Sequence, residues 1–457
     1  MSHRTFTFAL CLSPVALSAA ARAQSAAPVE ANTPTAGSFE ASVSALKQDF
    51  EARLAALEAQ VAEQKTAREA AEKAAKSKWY EKISLRGYTQ FRTTSLFNED
   101  LTPDLVVPAD PSVSEKETFI IRRGRFIFSG DVSEHVFLYA QFDAFGSVGG
   151  SGDKGLQTRD LYADIALDAD KEYRFRVGQS KVPYGFVNLQ SSQNRAPMER
   201  PDALNSAVEG ERDIGVFFYW APKEIRALFR DLVRKGLKGS GDYGVLGFGA
   251  YSGQGLNRSD QNGEFHWIGR ASYPIRFDNG QILELGAQAY TGDFVVSTQQ
   301  LGSGAGAVTP TAKADGLDDE RVALSATLYP QPFGFEAEWT WGEGPELNSA
   351  LTAVEVGSLE GGYLQVNALI ETSKGPLFPF VRWNYFDGAR KFRANAPSDE
   401  VNELDFGIEW APWPELELTV MYTHTFERTN TTDTSGPAFY ERTEDANRLA
   451  FQLQWNY

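Results

Sequence analysis

The chain has 457 residues, 61 of them acidic against 44 basic, and a formal net charge of −17. An acidic balance of this size argues against nucleic acid as a partner. The one cysteine, Cys11, falls in a segment expected to be removed, which excludes a disulfide framework and a cysteine-built metal site from the mature protein.

Residues 1–23 read as a secretory signal peptide, in preference to an ordinary buried helix. Arg4 supplies the positive start, Phe6 to Ala20 the apolar run, and Ala21-Arg22-Ala23 a small-residue cleavage site. Residues 24–37, rich in Ala, Pro, Thr and Ser, read as a flexible leader. From Ser38 a stripe begins: Phe39, Val43, Leu46, Phe50, Leu54, Leu57 and Val61 recur at alternating steps of three and four, with one stutter near Phe50. The remainder of 38–78 is Ala, Glu, Lys, Gln and Arg, all strong helix formers. A helix of about 40 residues is roughly 60 Å long and cannot bury such a stripe alone. The spacing predicts a coiled coil, a trimer before a dimer; a single helix lying on another surface is the alternative.

After Lys78 the period falls to 2, as in Leu449, Phe451, Leu453, Trp455 and Tyr457 set between Arg448, Ala450, Gln452, Gln454 and Asn456. Similar alternation occupies 321–328, 333–341, 403–410 and 416–427. About sixteen such segments can be counted, starting near 83, 117, 135, 158, 172, 212, 242, 264, 281, 319, 333, 358, 377, 402, 415 and 444. No run after the signal has the roughly 18 continuous apolar residues of a spanning helix. A secreted chain of this kind is soluble or crosses a membrane as a closed barrel. The final aromatic residue resembles the C-terminal signal of bacterial outer-membrane proteins.

The connections support an all-β transmembrane barrel. Short turns at Asp131–Glu134, Asp168–Lys171, Phe277–Gly280, Pro330–Pro332, Ser373–Pro376 and Pro412–Pro414 alternate with long loops near 96–116, 147–157, 182–211, 253–263, 295–318, 344–357, 389–401 and 428–443. Trp79, Tyr80, Trp220, Tyr329, Phe333, Trp410, Trp413 and Tyr457 fall at the short-turn rim, as an aromatic girdle would. One turn breaks the rule. Residues 222–238 look helical, with Ile225, Leu228, Phe229, Leu232 and Val233 on one face and Lys223, Arg226, Arg230, Arg234 and Lys235 on the other. A helix of this kind lies on anionic phospholipid, plugs the pore, or is a misread strand.

No enzyme constellation occurs: His3, His135, His266 and His424 are scattered, and metalloprotease, nucleophile-elbow and P-loop motifs are missing. Neither a metal site nor a cofactor is expected. The informative residues are charges on the face opposite the apolar one. Ile83, Leu85 and Phe91 facing lipid turn Arg86, Tyr88, Gln90 and Arg92 into the lumen. Phe126 and Phe128 likewise turn Arg123 and Arg125 inward and leave Arg122 outside. Later strands add Arg174, Arg176, Arg270, Arg382 and Arg448. Strands one, two and sixteen adjoin on closure, so their arginines form a basic wall. Glu284, Glu336, Glu338, Asp405, Glu409, Glu417 and Glu427 form an acidic wall opposite. Two such walls set a transverse field that selects among ions, unless the side chains merely solvate the lumen.

The run Phe119-Ile120-Ile121-Arg122-Arg123-Gly124-Arg125-Phe126, then Arg176-Val177-Gly178-Gln179-Ser180-Lys181-Val182-Pro183-Tyr184-Gly185, Met198-Glu199-Arg200-Pro201 and Arg212-Asp213-Ile214-Gly215, resembles the phosphate-selective porin O/P family over about 80–457. The resemblance implies a trimeric sixteen-stranded outer-membrane barrel whose third long loop, here 182–211, folds inward as the constriction. It also implies that Arg122, Arg123 and Arg125 form the family's basic strand and Lys181 its loop lysine. In that loop Glu199, Asp202, Glu209 and Glu211 would repel anions, while Arg195, Arg200 and Arg212 offset some of this. The expected function is passive diffusion of small hydrophilic solutes, with a weak preference for small anions or as a general diffusion pore, and the carboxylates weigh against phosphate itself as the substrate. Barrel residues 79–457 would sit in outer-membrane lipid, with 38–78 in the periplasm and in reach of the cell wall. The alternatives are a non-selective structural protein joining membrane and wall, and a soluble β-rich adhesin on a coiled-coil stalk.

Overall fold

The computed structural model describes residues 36–76, 82–97, 112–113, 119–144, 155–302, 304–432 and 439–457. The signal peptide over 1–23, the leader up to residue 35, Trp79 and Tyr80 lie outside these residues. Two compact units separate near Ala75.

The first unit holds one long helix, α1 (Ala36–Lys76). Its stripe is solvent-exposed along the single chain, from Val43 and Leu46 through Phe50 and Leu57 to Val61. Pairs one helical turn apart, such as Arg53 with Asp49 at 2.9 Å, support its polar surface.

The second unit is a closed antiparallel barrel of sixteen strands, each bonded to its sequence neighbours and β1 to β16. They are β1 (Ser84–Leu96), β2 (Phe119–Asp131), β3 (Val136–Asp143), β4 (Gln157–Ala166), β5 (Tyr173–Lys181), β6 (Arg212–Trp220), β7 (Leu246–Tyr251), β8 (His266–Arg276), β9 (Ile282–Phe294), β10 (Leu317–Leu328), β11 (Phe333–Leu347), β12 (Val354–Ala368), β13 (Leu377–Ala389), β14 (Ser398–Trp413), β15 (Leu416–Thr432) and β16 (Phe439–Asn456). Closure leaves no strand edge unpaired, which a bilayer requires. No helix among the described residues is long and apolar enough to cross a membrane.

In β8 the alternation is complete over its first ten residues: His266, Ile268, Arg270 and Ser272 are buried while Trp267, Ala271 and Tyr273 are exposed. Several strands run further toward the long-loop rim than expected. β12 starts at Val354, β14 at Ser398 and β16 at Phe439. β16 has 18 residues, about 60 Å at roughly 3.3 Å each, whereas the apolar band of such barrels is about 25 Å tall. Outside lipid a strand needs no apolar alternation, so its sequence carries no such signal there.

The buried apolar core sits inside the barrel. Val182, Tyr184, Val187, Ala203 and Leu204 of the loop after β5 pack against Phe217, Tyr219, Tyr251, Tyr290, Tyr363 and Phe386 of the wall. Burying each large side chain contributes about 1.5–3 kcal/mol, enough together to hold the loop inside. Tyr329 belongs to this interior too. It is fully buried and donates to Glu284 at 2.6 Å, so the girdle position expected for it is corrected, while Phe333, Trp413 and Tyr457 remain exposed.

Loop and wall meet closely at Gly361 of β12, where φ is +155° and an added Cβ would lie 2.3 Å from the Tyr385 carbonyl oxygen and 2.9 Å from Ala203 Cβ. Gly361→Ala is therefore expected to lower the thermal unfolding midpoint in detergent and to loosen the loop. A midpoint equal to that of the native chain would contradict this packing.

Candidate functional site: the pore constriction

Residues 182–211 enter the lumen as two short helices, α2 (Phe186–Leu189) and α3 (Asp202–Asn205). Lys181, at the end of β5, donates from Nζ to the carbonyls of Asn188, Leu189 and Gln190 at 2.9, 2.9 and 2.6 Å. Glu338 of β11 accepts the backbone N–H groups of Phe186 at 2.6 Å and Val187 at 3.2 Å. Arg321 of β10 donates to Ser206 Oγ at 2.8 Å, and Arg390, beyond β13, to Asp202 at 3.0 Å. Polar wall residues thus bond to backbone and side-chain groups of the loop while the aromatic ones seat its apolar side chains.

The densest charge cluster is centred on Glu199. Its carboxylate accepts from Arg92 at 2.7 Å, Arg122 at 2.9 Å and Arg123 at 2.9 Å, and Arg195 lies 4.0 Å away. Arg382 donates to the Glu199 carbonyl at 2.8 Å. Burial pushes the Glu199 carboxyl up, but the guanidiniums of Arg122, Arg123, Arg92 and Arg195 hold it well below the usual carboxylate range.

Arg122 corrects the outward position expected for it. Gln90 pairs with Arg123, whereas the next residue, Phe91, pairs with Ile121, so Arg122 is the extra residue of a bulge. The bulge reverses the facing of β2. Phe119 is exposed and stacks on Phe91 at 5.2 Å, yet Arg123 and Arg125, of the same parity, are buried in the lumen.

The other expected lumen charges are buried or lie in the pore mouth. Arg125 pairs with Asp143 at 2.7 Å, Arg174 with Asp242 at 2.7 Å, Arg176 with Asp164 at 2.7 Å, and Arg382 with Asp405 at 2.6 Å. Arg448 pairs with Glu403, and Arg270 stands 3.5 Å from Glu284. Arg176 also lies over the Tyr162 ring at 4.0 Å, a cation–π contact. Arg200 meets Glu211 at 2.8 Å, and although burial pushes the Glu211 carboxyl up, the guanidiniums of Arg200, Arg212 and Arg159 hold it depressed. Glu209 meets Arg258 at 2.8 Å, and Glu427 stands 3.8 Å from Arg390. Glu336 accepts from Gln190 at 3.4 Å and Glu417 from Asn456 at 3.0 Å. Opposite charges thus alternate around the wall, and the basic sector at β1, β2 and β16 has Glu199, Asp143 and Glu403 set into it.

Asp143, Asp160, Asp164 and Glu403 were legible by parity once their strands were placed. Arg390 and Lys391 were not, because they sit in a loop with no period to read. Lys391 pairs with Asp319, and Arg390 with Asp399.

Below the loop, toward the short-turn rim, lies a cavity of about 1230 Å³ whose walls include Arg86, Tyr88, Arg174, Arg176, Lys181 and Glu417. The 222–238 segment forms part of it. Its helix α4 (Lys223–Arg234) does not lie on lipid: Phe229 and Leu232 are buried against Phe186 of α2 and the lumen-facing Ile282 and Tyr329. An apolar face finds a better partner in that pocket than in a headgroup layer, so the segment is a helix held inside the barrel, neither on lipid nor a strand.

The family model for phosphate-selective porin O and P matches residues 106–457. No curated protein matches the chain. Among solved structures it is similar to in-vitro folded OmpT of Vibrio cholerae, at 9% identity over 82% of this chain and 97% of that one, with a TM-score of 0.47. It is similar to an anion-selective porin from Comamonas acidovorans, at 11% identity over 82% and 99%, TM-score 0.47. It is also similar to Salmonella typhi OmpF in complex with daunomycin, at 15% identity over 82% and 97%, TM-score 0.47. With its closed sixteen-stranded barrel and a family model matching more than half its length, the chain belongs to the phosphate-selective porin O and P family, the porins of the bacterial outer membrane.

Proposed function

We propose that this porin admits small hydrophilic solutes by passive diffusion with a weak preference for small anions. The observation that carries this reading is the cluster at the constriction, where four guanidiniums surround the single carboxylate of Glu199. Arginine suits oxyanions because its planar fork meets two oxygens at once. Conduction also requires weak binding, and carboxylates interleaved with the arginines keep any anion site shallow. In a planar bilayer under a salt gradient, the reversal potential is expected on the anion side, by less as salt rises and the Debye length falls to about 3 Å at 1 M. Inorganic phosphate added to chloride tests for a specific site. Block at low phosphate supports one, no block supports a general pore, and cation preference overturns the reading.

The porin works as a homotrimer, with α1 in the periplasm reinforcing the assembly and in reach of the cell wall. The exposed stripe of α1 supports this, since no described residue of the single chain covers it. Deleting 38–78 is expected to lower the dissociation temperature of the oligomer on heated gels and to leave single-channel conductance unchanged. Unaltered dissociation would remove the role.

A further inference from the structure

The turn between β6 and β7 crosses the pore. Lys238, which follows α4, pairs with Glu409 of β14 at 2.5 Å, and both are buried. In the closed order β14 stands eight strands from β6, the far side of a ring of sixteen. Lys238 also sits over the Phe378 ring of β13 at 4.9 Å. From above, Gln190 donates to the Lys238 carbonyl at 2.7 Å and Asn194 to that of Gly239 at 2.9 Å, so the crossing segment is bonded to the constriction loop. At its near end Arg226 pairs with Asp242 at 2.8 Å and donates to the Asp170 carbonyl at 2.8 Å. The other connections on this rim need only a few residues to join neighbouring strands.

Resting on the pore reading above, we propose that residues 221–245 form a second filter: a bar across the periplasmic mouth whose free cations, Arg230 and Lys235, collect small anions. The basic side chains of α4 and of Lys235, which caps it, divide into two groups. Lys223, Arg226 and Arg234 are held by Asp170, Asp242 and Asp231 at 2.6, 2.8 and 2.8 Å. Arg230 and Lys235 are exposed, line the cavity, and have no ion-pair partner among the described residues. Phe229 and Leu232 turn the apolar side of α4 into the packing, and the exposed Arg230 and Lys235 face the open water of the mouth. The carboxylates of Glu371 and Glu417 line the same cavity, and Asp131 there is engaged by Lys171. Ions crossing the pore pass this bar before or after the Glu199 cluster. Charges in a narrow, low-dielectric mouth focus the field and set local ion concentration. The bar therefore acts chiefly on anions arriving from the periplasmic side.

Current–voltage curves from the full chain in bilayers test this. Arg230→Glu with Lys235→Glu touches no packed side chain, and the barrel should keep its heat-modifiable gel mobility. The anion-to-cation permeability ratio is expected to fall by at least about twofold, with a larger loss of current when anions are driven from the periplasmic side. Replacing 223–240 with a short turn should raise conductance. Native-like permeability and rectification in the double variant, or unchanged conductance in the shortened one, overturns the filter while leaving the pore reading intact. A native chain that opens no channels overturns the pore reading and the filter with it.

Discussion

Replacing Arg123 and Arg125 with alanine is expected to carry the reversal potential from the anion side to the cation side. Arg123 lies 2.9 Å from Glu199 and Arg125 2.7 Å from Asp143, with all four groups buried or nearly so. The double change removes two positive charges and also strips a partner from each of two carboxylates. Those carboxylates then attract cations from water, so the shift exceeds that of deleting two exposed arginines. Breaking a buried pair by removing one partner costs about 3–5 kcal/mol, so the unfolding midpoint falls as well. Arg123→Lys separates charge from shape: it keeps the positive charge but loses the fork that spans Glu199 and Gln90. It should preserve the sign of selectivity and weaken only oxyanion effects. The measurement is the reversal potential at low and high salt. An unmoved potential in the double alanine variant would remove the arginine sector from the filter.

The strands were legible because lipid enforces alternation on them. Where lipid ends, legibility ends: β14 and β16 begin several residues before their apolar residues start to alternate. Lumen facing was legible wherever parity held, as for Arg86 and Arg92 in β1 or Arg174 and Arg176 in β5. It failed for Arg122 because one inserted residue reverses the facing of a strand, and a bulge carries no compositional mark. The rule of apolar out and polar in failed at Phe217, Tyr219, Phe378 and Phe380, which face the lumen. These residues serve a second apolar surface, the inward loop with its Met198 and Ala196, of which periodicity says nothing. The amphipathic face of 222–238 was visible in sequence, but a face does not name what it packs on. Phe229 and Leu232 meet Phe186 and Tyr329, residues more than forty positions away in either direction. Pairing partners stayed hidden for the same reason, since Glu199 joins arginines from β1 and β2 that only the folded loop brings together.

Glu199→Gln is expected to raise anion preference several-fold and to make the open current noisier. The glutamine leaves Arg92, Arg122, Arg123 and Arg195 facing a neutral amide, so the potential at the constriction becomes more positive. It also weakens the charge-assisted bonds by which residues 195–200 are held to β1 and β2, and such bonds are roughly twice as strong as neutral ones. A looser loop samples more positions on the recording timescale, which appears as flicker. Acidification should not reproduce this effect in the mild range. The Glu199 carboxyl is held well below its ordinary range by the surrounding guanidiniums, against the opposing effect of burial. A depressed carboxylate stabilises the fold at pH above its unfolded value, and that contribution is lost only as pH falls through the depressed value. Between pH 7 and 5 the native loop therefore stays latched, while the glutamine variant is unlatched throughout. The comparison is made on reversal potential and current noise at both pH values. A native channel that becomes noisy and more anion-selective by pH 5 would place the Glu199 proton far higher than its neighbours allow. A glutamine variant that matches the native channel at pH 7 would leave Glu199 as packing alone, with the selectivity carried by the wall arginines without it.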